Sequence, residues 1–138
     1  MLEKEVKFLL EELPSSLGSP TLVSQYYLVT KPFEVRVRES NKHFVTLKSL
    51  SKSGIRIELE TVIPVLLYRM LKKLAKTGIK KKRFLVSVDG NLWEIDQYHD
   101  GLVIAECEYK TKPPICPWAG KDVTKDKNYF NSNLAKRL

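Results

Sequence analysis

Cysteine is nearly absent from this chain of 138 residues: Cys107 and Cys116 are the only two. They form no C-x-x-C pair and no zinc-ligand set, and two thiols make no disulfide framework. A disulfide-built or zinc-built fold is therefore excluded, and reduced cysteines in a cytoplasmic protein are expected. Histidine is equally sparse. His43 and His99 lack the further histidine or cysteine that a nitrogen–sulfur metal site needs, and are read as surface or loop residues. No apolar run approaches the roughly 18 residues of a membrane-spanning helix. Charge begins at Glu3, so no secretory leader is visible. Repeats, low-complexity tracts and inter-domain linkers are missing as well. What remains is a single domain, 1–138, long enough for one core. Its 43% apolar share is ordinary, and its net charge of +8 favours an acidic partner.

The rest of the chain is dominated by two-residue alternation, the signature of strands with one polar and one apolar face. Glu3, Glu5 and Lys7 share a face opposite Lys4, Val6 and Phe8. Leu13–Pro20 reads as a loop, and Thr21–Thr30 as a strand broken by Lys31-Pro32. Phe33–Glu39 sets Glu34, Arg36 and Arg38 against Val35 and Val37. Phe44–Leu50 sets Thr46 and Lys48 against Val45 and Leu47, and Ile55–Ile63 sets Arg56, Glu58 and Glu60 against Ile57 and Leu59. Pro64–Thr77 reads as the one clear helix, with Pro64 at its start, Gly78 as its stop and Leu67, Leu71 and Leu74 as the core stripe. Strands resume at Lys81, with Lys81 and Arg83 facing one way. Asp89-Gly90 marks a hairpin, after which Trp93 and Ile95 oppose Glu94 and Asp96. Glu106 and Glu108 oppose Ala105 and Cys107. Pro113-Pro114 ends the pattern, and a short helix is expected around Asp126–Lys136.

The charges on these strands come as like-sign neighbours. The acids are Glu3, Glu5, Glu58, Glu60, Glu94, Asp96, Glu106 and Glu108; the bases are Lys7, Arg36, Arg38, Lys48, Arg56, Lys81 and Arg83. Like charges in close array do not stabilise a sheet. Clustered carboxylates suit a divalent cation, which takes oxygen ligands. Clustered bases suit several phosphates in a row, with arginine forks matching phosphate oxygens. Antiparallel strands with one polar face can close into a barrel with a polar lumen, the helix covering part of the apolar outside. The expected fold is α+β, mainly antiparallel: a closed eight-stranded barrel with a charged lumen and a few covering helices. A rival reading uses Lys72, Lys73, Lys76 and Lys80–Arg83 as the footprint of a module that grips RNA or polyphosphate without turnover. Such a module would not need the acidic clusters, so nucleic acid is disfavoured.

In order along the chain, Glu3-x-Glu5-x-Lys7, Arg36-x-Arg38, Thr46-Leu47-Lys48, Arg56-x-Glu58-x-Glu60, Lys81-x-Arg83, Asp89-Gly90, Trp93-Glu94-Ile95-Asp96, Glu106-x-Glu108 and Val123-Thr124-x-Asp126-x-x-Tyr129-x-Asn131 resemble the triphosphate tunnel metalloenzymes, or CYTH domain. The match covers nearly the whole chain. It departs at Val6, where many relatives have arginine, and at Ser24-Gln25-Tyr26-Tyr27, which stands for a common R-Q-G-Y. The resemblance implies a tunnel that binds a triphosphate-bearing small molecule with Mg²⁺ or Mn²⁺. The substrate contacts would be Lys7, Arg36, Arg38, Lys48, Arg56, Lys81 and Arg83. The metal carboxylates would be Glu3, Glu5, Glu58, Glu60, Asp96, Glu106 and Glu108. Lys7 and its family partner Tyr27 are the candidates for proton handling or water positioning. The length favours a small prokaryotic-type inorganic triphosphatase; a thiamine triphosphatase or class IV adenylyl cyclase is the alternative. No membrane partner is expected, and a homodimer is left open.

Overall fold

A computed structural model describes residues 2–49 and 55–138. Ten strands occur among them: β1 (Leu2–Leu10), β2 (Thr21–Val29), β3 (Glu34–Glu39), β4 (His43–Lys48), β5 (Ile55–Val62), β6 (Thr77–Val88), β7 (Asn91–Tyr98), β8 (Val103–Glu108), β9 (Gly120–Asp122) and β10 (Lys136–Arg137). Leu50, the expected end of the fourth strand, lies outside the described residues. The order β6-β2-β3-β4-β5-β1-β8-β7, with β7 pairing back to β6, closes an eight-stranded antiparallel barrel. Strand β1 is the seam. One of its edges takes β8, from Glu5↔Glu108 to Leu9↔Ile104. The other is shared between β5 at residues 2–4 and β9 at residues 8–10. The β6–β7 hairpin turns through Asp89 and Gly90, both at positive φ (51° and 79°), as a two-residue turn of this hand requires.

The alternation sends charges inward and apolar residues outward, so the core lies outside the barrel wall in two covered patches. Val6, Leu10, Phe84, Trp93, Ile95, Val103, Ala105 and Cys107 pack under Leu13, Leu17, Tyr109, Cys116 and Trp118 from the flanking loops. Trp93 meets Trp118 edge to face at 5.5 Å, a favourable aromatic geometry. Helix α1 (Val65–Lys72) covers the second patch, Tyr26, Val37, Ile63 and Tyr68. A third stretch of wall stays open, with Leu2, Leu47, Ile57 and Leu59 exposed. Among the described residues no helix is long and apolar enough to cross a membrane.

The helix differs from its sequence reading. It ends at Lys72, not Thr77, and Gly78 is a strand residue rather than a stop. A Cβ there would meet Tyr26 Cδ1 at 2.7 Å, so glycine serves a close approach by the Tyr26 ring. The buried helix residue is Tyr68; Leu67 and Leu74 are exposed, and only Leu71 of the expected stripe packs on the core. Pro113-Pro114 does not end the sheet, since β9 and β10 follow. The expected C-terminal helix is a 3₁₀ turn (Lys127–Tyr129), a four-residue helix α2 (Asn131–Leu134) and strand β10. The Asp126 carboxylate caps the turn by accepting from the Asn128 N–H. Segment 127–137 is thereby laid across one end of the barrel, with β10 joined to β6 at Thr77 and Gly78.

Candidate active site

The barrel encloses a cavity of about 220 Å³. Twelve of the fifteen expected site residues line it: Lys7, Arg36, Arg38, Lys48, Arg56, Arg83, Glu3, Glu5, Glu58, Glu60, Glu106 and Glu108. Burial is graded along the axis. Glu34, Lys48, Lys7 and Glu106 are buried, whereas Glu60 and Glu108, nearer the other end of their strands, are exposed. The buried end is the one that the C-terminal segment crosses, so the tunnel is blind.

Across the lumen the two signs neutralise one another. Lys48 Nζ lies 3.1 Å from Glu3 and 3.2 Å from Glu58. Arg38 donates to Glu60 at 3.2 Å, and the Glu60 carboxylate also accepts from Thr46 Oγ1 at 2.7 Å. Arg83 reaches Glu94 at 3.1 Å. Lys7 Nζ lies 3.4 Å from Glu106 and donates to the Tyr129 carbonyl at 3.2 Å. Burial, followed by the neighbouring Lys7, Lys81 and Arg83, sets the environment of Glu106, and the cations prevail to hold its carboxyl below the ordinary range. Glu3 and Glu5 show the opposite outcome. Burial raises both, crowding by other carboxylates adds to it, and Glu5 is pushed up to about 7. Among the described residues no cation lies at ion-pair distance from Glu5.

Lys81, Asp96 and Tyr27 sit behind the cavity wall rather than on it. Asp96 is fully buried, 2.7 Å from Lys81 Nζ, and accepts from Arg83 Nε and Nη2 at 2.8 and 2.9 Å. It therefore fixes the fork of a cavity arginine. Tyr27 has Gln25 and Arg36 as its polar neighbours. Its hydroxyl accepts from Gln25 Nε2 at 2.8 Å, and burial raises it above the ordinary tyrosine range, so it acts here as a hydrogen-bonding support for Gln25. The basic run from Lys72 to Arg83 is divided by the pleat: Lys80 and Lys82 are exposed while Lys81 and Arg83 turn inward, and Lys72 lies over the Tyr26 ring at 4.6 Å.

Six lining residues were not among the expected site residues: Gln25, Glu34, Glu94, Thr124, Phe130 and Asn131. Glu34, buried against Arg36 (3.5 Å) and Arg56 (3.3 Å), was legible as the third member of the Glu34-x-Arg36-x-Arg38 face. Gln25 shares the parity of Tyr27, and Glu94 that of Asp96. Phe130 carried no sequence signal; it comes from the C-terminal segment, together with Asn131, whose Oδ1 accepts from Tyr98 OH at 2.6 Å and Lys81 Nζ at 3.1 Å.

A closed antiparallel barrel whose lumen pairs a ladder of cations with a ladder of carboxylates defines the class: a polyanion-binding tunnel protein. Known proteins narrow this. The chain is 37% identical to the inorganic triphosphatase of Acetivibrio thermocellus over 97% of its own length and 93% of that protein. It is 33% identical to the inorganic triphosphatase of Nitrosomonas europaea over 98% and 97%. The solved inorganic triphosphatase NE1496 superposes with a TM-score of 0.69 at 30% identity, covering 98% of each chain. PH1012 of Pyrococcus horikoshii, at 21% identity and a TM-score of 0.60, shares the fold. No protein-family model matches the chain. The chain belongs to the family of these inorganic triphosphatases.

Proposed function

We propose that this protein is a metal-dependent inorganic triphosphatase of the triphosphate tunnel metalloenzyme (CYTH) type, splitting the terminal phosphate from triphosphate. The observation that carries the reading is the blind cavity of about 220 Å³ with six cationic side chains on its wall. That volume lies below the ~300 Å³ at which pockets for larger organic ligands begin, which favours a compact phosphate chain over a nucleotide held wholly inside the cavity.

Phosphoryl transfer asks for positioning and charge neutralisation more than for covalent chemistry. Arg38, Lys48 and Arg83 would exchange Glu60, Glu58 and Glu94 for phosphate oxygens, and Arg36 and Arg56 would meet the phosphates while still held by Glu34. Lys7, held by Glu106, is the candidate for placing the attacking water or handling its proton. Asp96, Lys81 and Glu34 hold the guanidiniums in position, and Tyr27 does the same for Gln25.

The donor set fits a hard divalent cation. Its donors are oxygens only, among the described residues Glu5 has no cation within ion-pair distance, and buried Glu106 Oε1 accepts no hydrogen bond although Lys7 Nζ lies 3.4 Å from it. Among the described residues no three acidic, histidine or cysteine side chains form a ready-made cation site. Mg²⁺ commonly takes only one or two carboxylates, the substrate phosphates completing its shell. Glu3, Glu5, Glu106 and Glu108 are the residues that would hold it, with Glu58 and Glu60 across the lumen. When bound, the ion supplies charge neutralisation and a water of lowered pKa. The test is phosphate release from inorganic triphosphate, ATP and thiamine triphosphate with Mg²⁺, Mn²⁺ or chelator. Turnover of inorganic triphosphate with metal alone is expected. Tight binding without release from any of the three would sink the reading in favour of a binding module.

A further inference from the structure

Phe130 is the one apolar side chain among the described residues that line the cavity. It stands at the buried end, where its ring takes two cations from different strands: Lys7 Nζ at 5.2 Å from the centroid and Arg56 Cζ at 6.0 Å. The segment that carries it is anchored on both sides, by the Asn131 contacts to Tyr98 and Lys81 and by the Tyr129 carbonyl on Lys7. An aromatic face bears negative potential, which attracts ammonium and guanidinium groups and repels phosphate. At the end of a tunnel otherwise lined by charged and polar groups, the bulk of the ring closes the way to a phosphate, and its face holds two cations beside the last place a phosphate can occupy.

We propose that Phe130 is the specificity-determining end stop of the site, restricting it to linear phosphate chains of triphosphate length. This rests on the triphosphatase reading above. With the inner end fixed by the ring, each phosphate beyond the third must leave through the open end, past the carboxylates of Glu60 and Glu108, where it meets like charge. Removing the ring frees its own volume at the inner end of the cavity, so a longer chain can slide inward instead.

The experiment compares triphosphate with linear tetraphosphate and longer polyphosphate for the parent, Phe130→Leu and Phe130→Ala. Leucine keeps most of the bulk and loses the aromatic face; alanine loses both. The kcat/KM preference for triphosphate over tetraphosphate is expected to fall about tenfold in Phe130→Ala and to stay within about threefold of the parent in Phe130→Leu. An unchanged preference in Phe130→Ala, or equal shifts in both variants, overturns the end stop. Thermal protection by each phosphate in chelator gives the same comparison without turnover, so an inactive but folded Phe130→Ala still decides the matter. If the parent hydrolyses no triphosphate, the catalytic reading fails on its own; the ratio of thermal protection still tests the stop.

Discussion

Asp96→Asn removes one charge from a fully buried pair, Lys81 and Asp96, beside the partly exposed Arg83, and the structure lets the cost be divided. Asp96 faces Lys81 at 2.7 Å and takes two hydrogen bonds from Arg83. Lys81 has an escape. Burial already depresses its ammonium to about 8, despite Asp96, so at pH 7 it is one unit from neutrality. Losing the carboxylate can cost through Lys81 only about 1.4 kcal/mol before the proton leaves. Arg83 has no such escape, because guanidinium does not deprotonate in proteins. One of its charge-assisted hydrogen bonds is lost to the asparagine amide, at about 1.5–3 kcal/mol. The total of about 3–4 kcal/mol agrees with the ~3–5 kcal/mol typical of breaking a buried pair. For a domain of this size it is a fall in Tm of roughly 10–20 °C. Urea and thermal unfolding should show that loss at pH 7. At pH 9, where Lys81 is neutral in the parent too, the loss should be about 1.4 kcal/mol smaller. A loss below about 1 kcal/mol at pH 7, or one unchanged between the two pH values, would refute the argument.

Glu5→Gln and Arg38→Ala should fail differently. If Glu5 holds metal, excess Mn²⁺ restores part of its activity, whereas Arg38→Ala loses about 10²–10³-fold at every metal concentration; losses merely proportional to lost folded protein would make both residues structural. In chelator, stability should fall as pH rises from about 5 to 8. Glu3 and Glu5 hold protons in the folded state that an unfolded glutamate has already released, so their contribution is complete below an ordinary glutamate pKa and disappears as pH rises through their raised ones. Saturating Mg²⁺ should flatten that slope, and thermal melts that stay flat or rise with pH in chelator would contradict the reading.

The inward faces were legible because alternation depends on nothing beyond the strand, and charge marks it unambiguously. That is why Arg36, Arg38, Glu58, Glu60 and Glu106 fell where the sequence put them, and why Glu34 could have been added. The α1 boundary was not legible. Gly78 offers the same local signal as a helix stop and as a clearance for a ring, and only the pairing Tyr26↔Gly78 decides between them. The leucine stripe misled for a related reason: the face of α1 that packs is set by the sheet below, which selects Tyr68, Leu71 and Ala75. Lys81 and Asp96 carried the cavity pattern yet lie behind the wall, because barrel shear, invisible in one strand, decides which inward residues reach the lumen. Phe130 was silent because its role comes from where segment 127–137 docks.

The seam at β1 also has a consequence in time. Strands β2 to β5 neighbour one another in sequence and can pair as they are made. β1 cannot, because most of its pairing is with β8 and β9, from Glu5↔Glu108 to Leu10↔Gly120. At translation speeds of about 5–20 residues per second, the first strand waits on the order of 5–20 s for those partners to exist. Its apolar residues Val6 and Leu10 stay exposed throughout, and such non-local pairing is the slow step of folding. The strand made before all the other described strands is thus among the last to be enclosed, and until then there is no closed barrel.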